Sequence, residues 1–309
     1  MPMNTSTDDG GACPATIDIP SRVAHDMSVA LGQIGRVVSP PLTGALYAPM
    51  AAREPFTDLA LQRDVQYGPH ARNLLDIFRP QEGGEQRPVL VFVHGGAFMR
   101  GDRRFDDSPF NDNIPGWAVR HGLAGVNMTY RLAPASDWPA AQHDLCCAMT
   151  WLRENVSAFG GDPQRIVFTG HSAGAAHVAE YLALPEFHAV PGSGLAGAIL
   201  FSGIYDPATA EVNPPLQAYF GADPSCYRAR SAVAGLIASR VPQLVAYAEL
   251  DPPVFCSQSE QLKSALHKAG KRQTIYRLAG HNHMSEIFSI NSPDTASSEL
   301  IQEFLALLL

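Results

Sequence analysis

The segment Gly170-His171-Ser172-Ala173-Gly174 places a serine between two glycines, directly after an apolar run and directly before a helical one. That pattern suits a nucleophile. A sharp strand-to-helix turn exposes the hydroxyl, and flanking glycines let neighbouring backbone pass without a Cβ clash. The helix that follows begins with unpaired N–H groups and a partial positive charge, which stabilise an oxyanion formed when Ser172 attacks a carbonyl. A serine that only caps a helix fits the same five letters, so the reading depends on the strand before and the helix after.

A second apolar run, Val89–Val93, stops at His94-Gly95-Gly96-Ala97-Phe98. A loop of this kind supplies further backbone N–H donors to an oxyanion, with Ala97 where a third glycine is usual. The expected hole is therefore the N–H groups of Gly96, Ala97 and Ala173. His94 is expected to hydrogen-bond nearby backbone and hold the glycine loop, not to act as a base.

A serine nucleophile needs a base, and the base needs an orienting carboxylate. The chain order serine, acid, histidine points downstream. The run Val241–Ala248 ends at Glu249-Leu250-Asp251-Pro252-Pro253, which favours Asp251, with Glu249 and Asp206 as rivals. The run Gln273–Leu278 is followed by His281 and His283. His283, where a short loop turns into a helix, is the favoured base and His281 a rim residue. A zinc site on these two histidines is not expected, since no cysteine or carboxylate cluster was seen beside them.

These residues need a scaffold that brings strand ends together. Leu59–Tyr67 and Asn73–Phe78 alternate around Gly68-Pro69 and read as an antiparallel hairpin. Continuous β-branched runs then recur at Pro88–Val93, Gly122–Tyr130, Arg165–Gly170, Gly197–Phe201, Val241–Ala248 and Gln273–Leu278. Helical stretches alternate with them, clearest at Ala140–Phe159 and Ala173–Leu184. The alternation predicts an α/β fold: a mostly parallel central sheet flanked by helices on both faces, with ligands beyond the carboxyl ends of the strands. Residues 55–309 read as one catalytic domain and residues 1–20 as a mobile tail. Residues 21–54 read as a helical segment that either caps the pocket or packs on the sheet edge.

Taken together, His94–Phe98, Tyr130-Arg131-Leu132-Ala133-Pro134, Trp138-Pro139-Ala140-Ala141 with Asp144, and Gly170–Gly174 resemble the α/β-hydrolase superfamily. The likeness is to its hormone-sensitive-lipase and carboxylesterase branches, and it runs from about Val65 to the C-terminus. Ala97 and the segment Asn282-His283-Met284-Ser285 are closer to feruloyl-esterase-like and kynurenine-formamidase-like members. The resemblance implies Ser172 as nucleophile, Asp251 as acid, His283 as base, and Gly96, Ala97 and Ala173 as oxyanion donors. It gives Asp144 and Tyr130–Pro134 structural roles. It implies a carboxylic ester hydrolase acting on small acyl or aryl substrates with no cofactor, and an aryl-formamidase or amidase as the alternative. A catalytically dead binding protein on this fold would lack the histidine, and no propeller repeat accompanies the chain.

Composition excludes other classes. The chain has 309 residues, 46% hydrophobic and 17% charged, so a large core is affordable and disorder is not indicated. A formal charge of −8 with 22 basic residues spread along the chain is unlike a nucleic-acid binder. Arg100, Arg103 and Arg104 are the one basic cluster near the oxyanion loop, read as a solvated loop before an anchor for acidic substrate. Five cysteines without metal or Cys-x-x-Cys spacing, and no secretory pattern at the start, suggest reduced thiols and a cytoplasmic setting. No run is long enough for a membrane span. Homodimerisation is left open.

Overall fold

A computed structural model describes residues 16–22, 24–54, 56–82 and 86–308. In chain order the strands are β1 Thr16–Ile19, β2 Leu59–Gln66, β3 Leu74–Pro80, β4 Arg87–Val93, β5 Ala124–Met128, β6 Gly161–His171, β7 Gly197–Phe201, β8 Gln243–Leu250 and β9 Ile275–Asn282. They form one sheet in the order β1-β9-β8-β7-β6-β4-β5-β3-β2. β2 and β3 make the expected antiparallel hairpin, and β3 also runs antiparallel to β5. Every other pairing is parallel.

The helices are α1 His25–Ile34, α2 Pro40–Tyr47, α3 Asn113–Arg120, α4 Ala140–Asn155, α5 Ala173–Ala183, α6 Pro214–Phe220, α7 Val233–Ala238, α8 Pro253–Lys268, α9 Ser285–Phe288 and α10 Ala296–Leu308. Successive side chains of a strand point to opposite faces, so a strand covered on both sides must be apolar throughout. Along β4, Val89, Val91 and Val93 join one core with Leu145 of α4 and Val178 of α5. Leu90 and Phe92 join the other with Trp117 of α3 and Ile301 of α10. The same division holds along β7, where Leu200 faces the first core and Ile199 and Phe201 the second.

β6 begins four residues before its expected start, at Gly161, and two further elements differ more consequentially. Of the expected N-terminal tail, residues 1–15 lie outside the described residues, whereas Thr16–Ile19 is an edge strand. It pairs in parallel with β9, and Asp18 receives two hydrogen bonds from Arg277, at 2.6 and 2.9 Å. Four residues carry no local signature of their own, and the pairing partner lies more than 250 residues away. β9 also runs four residues past its expected end, to Asn282, so His281 lies within the strand and His283 directly follows it.

Of the segment 21–54, His25–Ile34 and Pro40–Tyr47 are helical. Its anchors Leu31 and Tyr47 are buried in the second core, beside α3, α9 and α10. No helix among the described residues is long and apolar enough to cross a membrane.

Candidate active site

Five neighbouring strands, β4, β6, β7, β8 and β9, each end at a residue or loop with a chemical use. β6 ends at the elbow. Ser172 adopts φ 55° and ψ −120°, a backbone conformation that a side chain rarely takes, and its N–H donates to the Phe201 carbonyl at 2.9 Å. The surrounding structure over-determines this strained residue, as is usual at functional sites. Gly174 is required because a Cβ there would collide with the Val93 carbonyl and come within 2.6 Å of the His94 carbonyl. Ala173 opens α5, so its N–H is among those the helix leaves unpaired.

The loop after β4 touches the elbow. A Cβ on Gly95 would lie 3.1 Å from the Ser172 Cβ. Gly96 has φ 140°, and a Cβ there would overlap the Arg100 carbonyl, whereas Ala97 holds φ 51° despite its methyl group. The tight turn thus follows directly on Gly95, the residue that meets Ser172. His94 behaves as a strut: its Nδ1 is 2.7 Å from the Gly95 carbonyl, and its ring stacks on Tyr130 at 4.5 Å. Burial pulls its pKa down to about 4, so the ring is neutral at pH 7. Tyr130 donates in turn to the His94 carbonyl at 2.8 Å. Asp144 pins the adjoining segment by accepting from the Arg131 N–H at 2.7 Å and from its guanidinium Nε at 2.9 Å.

At the end of β9, His283 directs Nδ1 to Asp251 Oδ1 at 2.7 Å, which leaves Nε2 for chemistry. Both side chains are buried, and Phe255 stacks on the imidazole at 4.2 Å. His283 lies 4.6 Å, ring to ring, from His171, the residue preceding Ser172. The rivals are occupied elsewhere. Glu249 accepts from the Gly280 N–H at 2.8 Å, and Asp206 caps a short 3-10 turn through the Ala208 N–H at 3.2 Å. His281 faces the other way, with Nδ1 3.1 Å from Ser285 Oγ and Nε2 3.6 Å from Asp294.

Three residues at the site escaped sequence reasoning. Ser202, just past β7, has φ 49° and is buried, and its Oγ is 2.6 Å from Asp251 Oδ2 and 2.9 Å from Glu286 Oε2. His171 Nε2 lies 2.8 Å from the His283 carbonyl and 3.1 Å from Glu286 Oε1. Burial, and then repulsion from His283, lower the His171 pKa well below the usual histidine value. A signal was present: Ser202 is where the Gly197–Phe201 run stops.

The histidine-and-carboxylate cluster not expected from sequence does form, although not on His281. Ligand atoms of His171, His283 and Glu286 lie within 4.8 Å of one another among the described residues. Each of the three also has hydrogen-bonding neighbours within the protein. Arg103 and Arg104 are not on a solvated loop. They converge on the fully buried Asp76 of β3, at 2.8 and 2.9 Å, with Arg63 a third partner at 2.8 Å.

Residues 75–191 match the BD-FAE family, and residues 140–308, more than half of the chain, match the prolyl oligopeptidase family. Esterase LipQ of Mycobacterium tuberculosis is 30% identical over 266 residues, covering 79% of this chain and 62% of that protein. Phenmedipham hydrolase of Pseudarthrobacter oxydans is 36% identical over 116 residues, covering 34% of this chain and 22% of that protein. The chain thus spans less than two thirds of the length of these relatives. Among solved structures, esterase B of Lactobacillus rhamnosis superposes with a TM-score of 0.72 at 17% identity, covering 92% of this chain and 93% of that one. The hyperthermophilic esterase of Pyrobaculum calidifontis superposes at 0.67 and 21% identity, covering 93% and 99%. At such identities the likeness is one of fold.

Proposed function

The chain belongs to the prolyl oligopeptidase family, and from that premise we propose that it is a carboxylesterase-like hydrolase of carboxylic esters of small acyl or aryl groups. Ser172 is the nucleophile, His283 the base and Asp251 the orienting acid. The observation that carries the reading is the 2.7 Å pair of His283 and Asp251, with His283 4.6 Å ring to ring from His171, the residue preceding a serine held at φ 55°.

His283 takes the Ser172 proton at Nε2 as Oγ attacks the carbonyl carbon. Asp251 holds the ring by its Nδ1–H and stabilises the imidazolium that forms. The N–H groups of Gly96, Ala97 and Ala173 receive the oxyanion, each contributing about 3 kcal/mol by the behaviour of such donors elsewhere. The imidazolium then protonates the departing alkoxide, and water, deprotonated by His283, releases the acid from Ser172. That the similar proteins include an esterase and a phenmedipham hydrolase supports a hydrolytic reaction on an ester-like substrate.

Ser172→Ala is expected to abolish turnover of an activated short-chain aryl ester and labelling by a fluorophosphonate, with an unchanged melting temperature. Residual turnover at the wild-type rate would refute the assignment. Faster turnover of a formyl-anilide than of the matched phenyl ester would move the substrate class to formamides.

A further inference from the structure

Behind the acid of the proposed triad lies a second carboxyl, that of Glu286, on the first turn of α9. Asp251 and Glu286 are both fully buried, and one hydroxyl, Ser202 Oγ, stands between them at 2.6 and 2.9 Å. The hydroxyl has a single proton to donate. Three donors converge on Asp251: His283 Nδ1–H at 2.7 Å, the Ala248 N–H at 2.9 Å and Ser202. Glu286 has no comparable set. His171 Nε2, 3.1 Å from Oε1, directs its hydrogen to the His283 carbonyl at 2.8 Å, and Oε1 is left without a hydrogen bond. Two buried carboxylates bridged by one hydroxyl cannot both be satisfied as anions.

Resting on the triad reading, we propose that Glu286 works as a neutral acid, a positioning residue that donates from Oε2 to Ser202 Oγ so that Ser202 can donate to Asp251. The chain of hydrogen bonds then runs Glu286 to Ser202 to Asp251, and meets the bond from His283 at the same carboxylate. Glu286 thereby extends the triad by two residues and fixes Asp251 from the side opposite the imidazole. Burial, and then the charge of Asp251, raise the Glu286 pKa well above the ordinary carboxyl range, in agreement with this geometry. The groups facing Glu286 are Asp251, His171, His283, Tyr205 and Cys256. Only Asp251 among them brings negative charge at neutral pH.

The test compares Glu286→Ala with Glu286→Gln. Alanine removes the donor to Ser202, and kcat should fall by about tenfold to a hundredfold with little change in KM. Glutamine keeps a neutral donor at Oε2 and a carbonyl at Oε1, so it should rescue most of that loss. The acid limb of the kcat/KM profile should also stay where the wild type has it. If Glu286 were an anion, glutamine would delete a negative charge near His283, and the limb would move to lower pH. That shift, or a glutamine variant as impaired as alanine, overturns the proposal. Infrared spectroscopy at pH 7 gives a readout independent of turnover: a protonated-carboxyl stretch present in the wild type and missing from Glu286→Gln. Burial also raises the Glu180 pKa well above the ordinary carboxyl range at a separate site, so the assignment rests on the difference between wild type and variant. Should the glutamine variant fail to fold, Ser202→Ala serves. Removing the acceptor should move the band to higher frequency, and an unmoved band overturns the proposal. A protein with this band and no ester hydrolysis would refute the proposed function and leave Glu286 neutral.

Discussion

His177 sits one turn into α5, and neither of its ring nitrogens has a hydrogen-bond partner among the described residues. Phe98, Tyr130 and Tyr219 surround the ring, with centroids at 5.4, 4.6 and 4.8 Å. Burial, and then repulsion from His94, lower its pKa to about 3, and burial lowers that of His94 to about 4. Unfolded, both rings titrate near 6.5. Below that pH the unfolded chain takes up protons that the folded chain refuses, so stability is complete above pH 6.5 and is lost as pH falls toward 4. Each refused proton contributes a slope of about 1.4 kcal/mol per pH unit in that window. His177→Phe, which keeps an aromatic ring in the box, should flatten the decline in unfolding free energy between pH 6 and 4.5 by about that amount. Urea melts at several pH values would show it, and a variant parallel to wild type would exclude the mechanism.

Some residues declare themselves in sequence and others do not, for a physical reason. Ser172 is legible because a strand-to-helix turn demands glycine on either side of it. His94 is legible because it adjoins a glycine loop. Ser202 and Glu286 carry no such local demand. Their meaning depends on β7 lying between β6 and β8 and on α9 folding back over that edge, and both are facts of strand order.

Among the elements, those buried on both faces were the most legible, since a strand covered twice must be continuously apolar. β7 matches its apolar run end to end, and β4 differs by one residue. The edge strand β1 and the end of β9 were least legible. β1 has only four residues, half of them exposed, and β9 continues into a polar stretch, Gly280-His281-Asn282, that sequence read as loop. Close packing of α5 against β4 gives the element-scale prediction. Gly174 faces the carbonyls of Val93 and His94, where no methyl fits, so Gly174→Ala must push the first turn of α5 away from β4. Overpacking of this kind destabilises by about 1–3 kcal/mol. It should also lower kcat, because the displaced turn carries Ser172 and Ala173. A variant with wild-type melting and wild-type kcat would show that the elbow does not depend on this contact.

Across the described residues, the first and last fifths of the chain meet at the proposed catalytic side. Asp251 and His283 are carried by loops from the last fifth of the chain, and residues of the first fifth hold those loops. Arg36 donates to the Asp251 carbonyl at 3.0 Å, and Asn282 Nδ2 donates to Thr43 Oγ1, also at 3.0 Å. Tyr47 donates to Asp294 Oδ2 at 2.7 Å, and Asp294 Oδ1 in turn faces His281 near the end of β9. The segment that sequence left between cap and packed helix thus acts as a strap across the acid and histidine loops. Tyr47→Phe keeps the packing of the ring in the second core and removes one donor from a buried carboxylate. Leaving such a group under-satisfied is expected to lower stability by about 1–3 kcal/mol. If the strap positions the base, kcat toward a short-chain ester should fall with it while KM changes little, because Tyr47 holds the loop of His283 and not the acyl group. A shift of acyl-chain preference with unchanged kcat would instead assign the segment to the pocket wall.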